Sequence, residues 1–338
     1  KPRDVSEMWI APKEAEDSKK GLYFDNNLYA GRVAQSVIER LSQKPRVIDE
    51  KCSKVSGICY QVVDKVWVDE EGYSHNPWEM LRIIQVKGDE SAHFGRAMLI
   101  KPTKLNWKTF DTKTWKVNKY AIIDRELQTM IGGLTGSKAV AKNEGNATKI
   151  YEILIAGLGA PVIPNFIEQY YWMSMTIVEK EPIFTYFAKK YFEFVEGPAI
   201  KVVHADPISF VAEARKKGTK YDGVMINLCK TKKDILQCPT DEYLERSTIQ
   251  LLRSIVLPKG VLTVNSRAVD KTQARTVANT YDGVFPMCFD YPEDHKQLTI
   301  ERYKGTVCFN REALPFWKDQ ENRGDYIYHA AHSWFFTV

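Results

Sequence analysis

The apolar positions change period near the middle of the chain. Cys59–Val68, Met80–Val86, Phe94–Ile100 and Val117–Ile123 are short runs rich in β-branched and aromatic residues, partly alternating with polar ones. Gly72, Asn76-Pro77, Gly88 and Pro102 punctuate them, and these residue types supply turn geometry. The pattern predicts an antiparallel β-rich region. Ahead of it, residues 1–50 are polar and then helical in period. Leu28, Val33, Val37, Ile38 and Leu41 follow a cap at Asn26 or Asn27. A further helix is expected from Asp124 to Leu134, and then a hinge-like linker from Gly132-Gly133 to Asn146.

From Lys149 the pattern differs. Ile150–Ala156 is a continuous apolar run, as a strand covered on both faces requires. Ser174–Glu179, Ile200–Ala205, Tyr221–Leu228 and Gly260–Asn265 repeat it. Between them lie helix-like segments at Pro164–Tyr171, Pro182–Phe194, Pro207–Lys217 and Asp241–Leu257. This alternation predicts an α/β fold with a doubly wound, Rossmann-like parallel sheet. Val284–Asp290, with Leu298–Tyr303 and Gly305–Phe309, predicts a terminal antiparallel hairpin. The expected units are a polar and helical extension (1–50), a β-rich domain (51–123), the α/β domain (124–316) and an aromatic tail (317–338).

Composition narrows the function classes. Of 338 residues, 44% are hydrophobic and 27% charged, which excludes a disordered chain, a collagen and a membrane bundle. No window reaches the ~18 unbroken apolar residues of a spanning helix. The net charge is +5, with Lys and Arg scattered, so nucleic acid is not an expected partner. No charged-then-apolar leader opens the chain, so a signal peptide is expected to be already removed or never present.

The six cysteines form three local couples: Cys52 with Cys59, Cys229 with Cys238, and Cys288 with Cys308. Pairing within each would suit an oxidising compartment, and the sequon Asn146-Ala147-Thr148 points the same way. We expect a secreted or ER-lumenal protein; a cytoplasmic one with six free thiols is the alternative. Zinc is not expected, because no Cys-x2-Cys pair occurs and the histidines are dispersed.

Candidate chemistry gathers at strand ends. The first α/β strand runs into Gly157-Leu-Gly159-Ala-Pro161, where glycines allow a sharp turn and close ligand approach. Glu179 ends the second strand and is placed to accept from ribose hydroxyls. Asp206, after the third, is expected to cap the helix opening at Pro207, a role that leaves it open to accept from an adenine amino group as well. Successive carboxyl ends are where open α/β sheets bind ligands. The aromatic residues Tyr170, Tyr171, Trp172, Tyr186, Phe187, Tyr191, Phe192 and Phe194, and His204, are expected in the core; Lys230, Lys232 and Lys233 are expected on a solvated loop.

These residues carry a family resemblance. Ile155-Ala-Gly-Leu-Gly159, Ile177-Val-Glu-Lys-Glu-Pro182, Val203-His-Ala-Asp206 and Tyr221-Asp-Gly-Val-Met-Ile226 resemble the spermidine-synthase-like branch of class I S-adenosylmethionine-dependent methyltransferases. Cys238-Pro239 and Leu257-Pro-Lys-Gly-Val261 add to it. Within that branch the likeness is greatest to the C-terminal half of the elongation-factor lysine and N-terminal methyltransferases. The resemblance covers residues 120–310. It implies a seven-stranded sheet after a smaller β-rich domain, homodimerisation through that domain, and a cofactor held by Gly157, Gly159, Glu179, Asp206 and the Asn227 position.

Departures shape the expected function. Ala160 adds a Cβ, and Pro161 removes a donor, where the family loop carries glycine. Asn227 stands where aminopropyl transferases carry a general-base Asp, and a neutral amide takes no proton. Lys230, Lys232 and Lys233 replace an acidic run that would hold a polyamine. The expectation is a non-catalytic binding protein with a protein partner, no catalytic residue and a crevice either blocked to S-adenosylmethionine or too poor in hydrogen-bond donors to grip it. An active methyltransferase on a protein or small amine is the alternative; an aminopropyl transferase ranks last.

Overall fold

The computed structural model describes residues 45–67, 79–103, 111–136, 140, 149–171, 173–269, 271–291 and 303–310. The N-terminal helical period, the Asn146 sequon, Trp172 and the tail from 317 lie outside these residues.

Arg46–Cys52 (β1), Cys59–Val66 (β2), Met80–Val86 (β3), Asp89–Ile100 (β4) and Lys116–Val117 (β5) form an antiparallel sheet in that order. β1 has no counterpart in the sequence reading. Four of its seven residues are charged, because it is an edge strand, and edge strands carry charge against unwanted pairing. Cys52 lies opposite Cys59 in the β1–β2 register, and the two are disulfide-bonded.

The second sheet has seven strands. Tyr151–Ala156 (β6), Met173–Val178 (β7), Ile200–Val203 (β8), Tyr221–Ile226 (β9), Val256–Arg267 (β10), Met287–Tyr291 (β11) and Tyr303–Phe309 (β12) lie in the order β11-β12-β10-β9-β6-β7-β8. β10, β9, β6, β7 and β8 are parallel, and β12 runs antiparallel between β10 and β11. All six residues of β9 are buried, which is why its sequence is continuous rather than alternating. Strand order reverses between β6 and β9, the switch point beside which such sheets bind ligands.

Six α-helices are described: Arg125–Gly136 (α1), Val162–Tyr170 (α2), Pro182–Tyr191 (α3), Pro207–Lys216 (α4), Arg246–Ile255 (α5) and Lys271–Asp282 (α6). The linker expected from Gly132 begins later, since α1 continues through Gly132-Gly133. A Cβ at Gly133 would lie 2.7 Å from Val307 of β12, so the glycine permits the helix to press on the sheet. α6 escaped the sequence reading because its buried face is small: Ala274, Val277, Ala278 and Tyr281, at helical spacing in a polar segment. Cys288 and Cys308 face each other across β11 and β12, and they and Cys229–Cys238 are disulfides. Among the described residues no helix is long and apolar enough to cross a membrane.

One buried ion pair ties the two sheets' elements together. Arg82 on β3 and Asp64 opposite it on β2 have side chains 2% and 0% exposed. Arg82 donates twice to the carboxylate, at 2.8 and 3.0 Å, and to the carbonyls of Thr112 at 2.7 Å and Tyr191, the last residue of α3, at 2.9 Å. Asp64→Ala leaves that guanidinium charge uncompensated. We expect it to cost about 3–5 kcal/mol, read as a lower urea midpoint with unchanged slope. A loss under about 1 kcal/mol would show that the pair is not needed to hold β3 against α3.

Candidate functional site

The glycine loop follows β6 and turns in left-handed backbone: φ is +90° at Gly157 and +51° at Gly159, values L side chains rarely adopt. A Cβ at Gly157 would collide with the Asn227 carbonyl, and one at Gly159 with the Phe94 carbonyl. Both glycines are therefore required by protein packed against protein. The Ala160 amide donates to the Phe94 carbonyl at 2.7 Å. β4 thus closes over the loop, and Phe94 packs edge-on against Tyr60 and tilted against Phe184, at ring-centroid distances of 5.7 and 5.1 Å.

Glu179 follows β7 directly and is 4% exposed. Its carboxylate accepts the Leu158 amide at 2.8 Å and the Glu181 amide at 2.8 Å, and a further bond from the Gly159 amide. Burial still dominates and pushes its carboxyl up to about 7. Glu181 in turn accepts the Ser53 hydroxyl from the β1–β2 turn. Asp206 caps α4, accepting the Ser209 amide at 2.9 Å, and also faces the crevice. The cap and ligand readings of Asp206 are compatible. Asn227, just past β9, accepts the Asn265 side-chain amide at 3.0 Å.

Gly157, Gly159, Glu179, Asp206 and Asn227 line one crevice of about 270 Å³ at the carboxyl ends of the parallel strands, close to the lower end of the ~300–1,000 Å³ typical of ligand pockets. The expected obstruction by Ala160 is absent. Its methyl is turned to β4, where a Cβ at Gly95 would lie 3.0 Å away, and neither it nor Pro161 borders the cavity. The loop amides, however, are engaged by protein: Gly157 with Val178, Leu158 and Gly159 with Glu179, Ala160 with Phe94. His204 is exposed just beyond β8 rather than in the core, because β8 ends at Val203. Lys230 is half-buried between Asp234 at 2.6 Å and Asp241 at 2.7 Å, so only Lys232 and Lys233 of the three lysines are freely exposed.

The crevice also holds groups that the sequence does not reveal. Arg267 donates toward the His93 ring at 3.0 Å and to the His93 carbonyl at 3.0 Å. Burial, and then Arg267, hold the His93 imidazole well below its usual range, so it stays neutral. Arg96 pairs with Asp124 at 2.5 Å. Glu126, Thr240, Tyr243 and Asn265 each carry a buried polar side-chain atom without a partner, and all four border this cavity. The available signal was the polar alternation of Asn265 and Arg267 closing an apolar strand, with Asp124 and Glu126 opening a helix. Among the described residues no His, Cys, Asp and Glu cluster could hold a metal.

No family model matches the chain. Curated relatives do. An eEF1A lysine and N-terminal methyltransferase homolog of Drosophila melanogaster is 26% identical over 169 residues, 45% of this chain and 25% of that protein. The Homo sapiens eEF1A lysine and N-terminal methyltransferase is 27% identical over 142 residues, 40% of this chain and 20% of that one. A polyamine aminopropyltransferase of Vibrio vulnificus (strain CMCP6) is 31% identical over 140 residues, 41% and 45% of the two chains. The matches to the two methyltransferases thus span only about a quarter of their length. Among solved structures, human methyltransferase-like protein 13 in complex with SAH shares the fold at TM-score 0.50, with 21% identity over 63% of this chain and 92% of that one. A probable spermidine synthase from Corynebacterium glutamicum does so at TM-score 0.55, with 12% identity over 83% and 86%. Motifs, switch-point crevice and relatives agree on a Rossmann-like methyltransferase fold: over less than half of its length the chain is similar to the eEF1A lysine and N-terminal methyltransferases and to a polyamine aminopropyltransferase.

Proposed function

We propose that this protein binds S-adenosylmethionine or its thioether product in the switch-point crevice and moves a methyl group rather than an aminopropyl group. One observation carries the reading: the five residues marked for the cofactor converge on a single open cavity. The donor set fits the adenosine part. Glu179 offers carboxylate lone pairs to two ribose hydroxyls, Asp206 offers an acceptor to an amino group, and the unpartnered Thr240 and Tyr243 hydroxyls lie along the same wall. When bound, the cofactor supplies an electrophilic methyl on sulfur. The chain's part is to hold and orient it, and methyl transfer can draw most of its rate from such positioning. Asn227 removes the base that aminopropyl transfer uses, and its Oδ1 is already engaged by Asn265.

A second reading, a binding protein without catalysis, rests on the glycine loop. All four of its amides, from Gly157 to Ala160, meet protein acceptors, and Pro161 has none to give. That leaves no loop donor for a ligand carboxylate. Label transfer from S-adenosylmethionine to an acceptor separates the two readings. The three disulfides support an oxidising, extracellular or lumenal setting for either.

Calorimetric titration with S-adenosylhomocysteine tests the binding step. Ribose hydroxyls donate to ionised Glu179, so affinity should fall up to about tenfold per pH unit below neutrality and level off above it. Glu179→Gln should abolish that slope; absence of binding at millimolar ligand, or a slope unchanged in Glu179→Gln, contradicts the assignment. Intact mass under non-reducing conditions should show all six cysteine thiols oxidised; free thiols in the native protein would remove the support for an oxidising compartment.

A further inference from the structure

Resting on the methyl-transfer reading, the inner wall of the crevice suggests where the acceptor's proton goes. Asn227 cannot take it. Glu126, on the first turn of α1, is 2% exposed. Its Oε1 lies 4.0 Å from Arg267 Nη1, and its Oε2 has no partner. Asn265 Oδ1 is likewise unpartnered at 3% exposure. The two residues are neighbours: Asn265 faces Gly305 across β10 and β12, and a Cβ at Gly305 would lie 3.4 Å from the Glu126 carbonyl. Both border the same cavity as Asn227. Two buried acceptors without donors, on neighbouring elements that line one cavity, call for a ligand rich in N–H groups, because an unpaired buried acceptor is costly.

We infer that Glu126 is a catalytic proton acceptor standing in for the missing carboxylate after β9, and that Glu126 and Asn265 together bind the nitrogen of a primary-amine acceptor. The acceptor's ammonium gives one proton to Glu126 Oε2 and becomes a neutral amine. Its nitrogen lone pair then forms the N–C bond to a sulfonium methyl as the C–S bonding pair passes to sulfur. The product leaves as an alkylammonium, and the Glu126 proton goes to solvent. The charged groups that face Glu126 are Asp124 at its own helix start, Arg96 on β4 and Arg267 on β10, and Arg267 in turn meets the His93 ring. Burial first, and then Asp124, push its carboxyl up to about 7 against the opposing pull of Arg267 and Arg96, a range that suits general-base work near neutrality.

The probe is n-butylamine, titrated calorimetrically into the protein with and without saturating S-adenosylhomocysteine. Buffers of differing ionisation enthalpy report the proton count at about pH 6 and about pH 8. Wild type should release close to one proton on binding at the acid pH and little at the basic one, as bound ammonium forces Glu126 to ionise. Glu126→Gln should release none and bind about tenfold more weakly at the basic pH. Asn265→Ala should bind about fivefold more weakly but keep the proton release. A folded Glu126→Gln with wild-type affinity and proton count overturns the inference, as does a wild type that binds no n-butylamine in either state. If Glu126→Gln does not fold, the wild-type proton count decides: no release overturns it. Failure of the nucleoside alone to bind counts against the proposed function, and the nucleoside-free titration still judges Glu126.

Discussion

The contact between β4 and the glycine loop is the constraint on which the crevice depends. The Phe94 carbonyl occupies the space a side chain at Gly159 would need and accepts the Ala160 amide. Ala160 turns its methyl toward Gly95. The small residues of the loop therefore serve a junction between two sheets as much as a ligand. That junction makes the antiparallel sheet one wall of the cavity, bringing Tyr60, His93 and Phe94 beside strand ends from the parallel sheet. A side chain at Gly159 would have to displace backbone rather than a flexible side chain, which such tight junctions tolerate poorly.

The second theme is carboxylates held out of water. Glu179 and Glu126 stand at different parts of one crevice, both buried and both with carboxyls pushed up to about 7. For Glu179, keeping the charge at neutral pH costs on the order of 3 kcal/mol relative to a solvated carboxylate. Backbone amides from Leu158, Gly159 and Glu181 offset part of that. Perturbed acids of this kind concentrate where proteins bind and react. In Glu179 the amides also fix the loop, so one side chain links loop geometry to the crevice wall. The disulfide Cys229–Cys238 borders the same cavity beside Asn227 and fastens the segment that carries Lys230.

Much of the α/β unit is legible in the sequence because its strands are largely buried on both faces and read as apolar runs rather than alternations; β6 from Ile153 and β9 from Gly223 are the plainest cases. This wall of the crevice is legible for a related reason, since Gly157, Glu179 and Asp206 sit at strand ends, where pattern and chemistry coincide. β1 is hidden by its charges. α6 is hidden because Ala274 and Ala278 bury a face without looking hydrophobic enough. Glu126, Asn265 and Arg267 could not be joined from sequence, as they meet only through the packing of α1 on β10 and β12. Ala160 is the converse case: its place in the sequence suggests a methyl in the crevice, and the position of β4 shows that it points away.

A crystal of the protein soaked with S-adenosylhomocysteine tests the central claim most directly. The account predicts the nucleoside in the switch-point crevice, with both ribose hydroxyls within hydrogen-bond distance of Glu179 and the adenine beside Asp206 and Tyr243. A crevice that stays empty at saturating ligand, or a nucleoside seated elsewhere on the molecule, contradicts it.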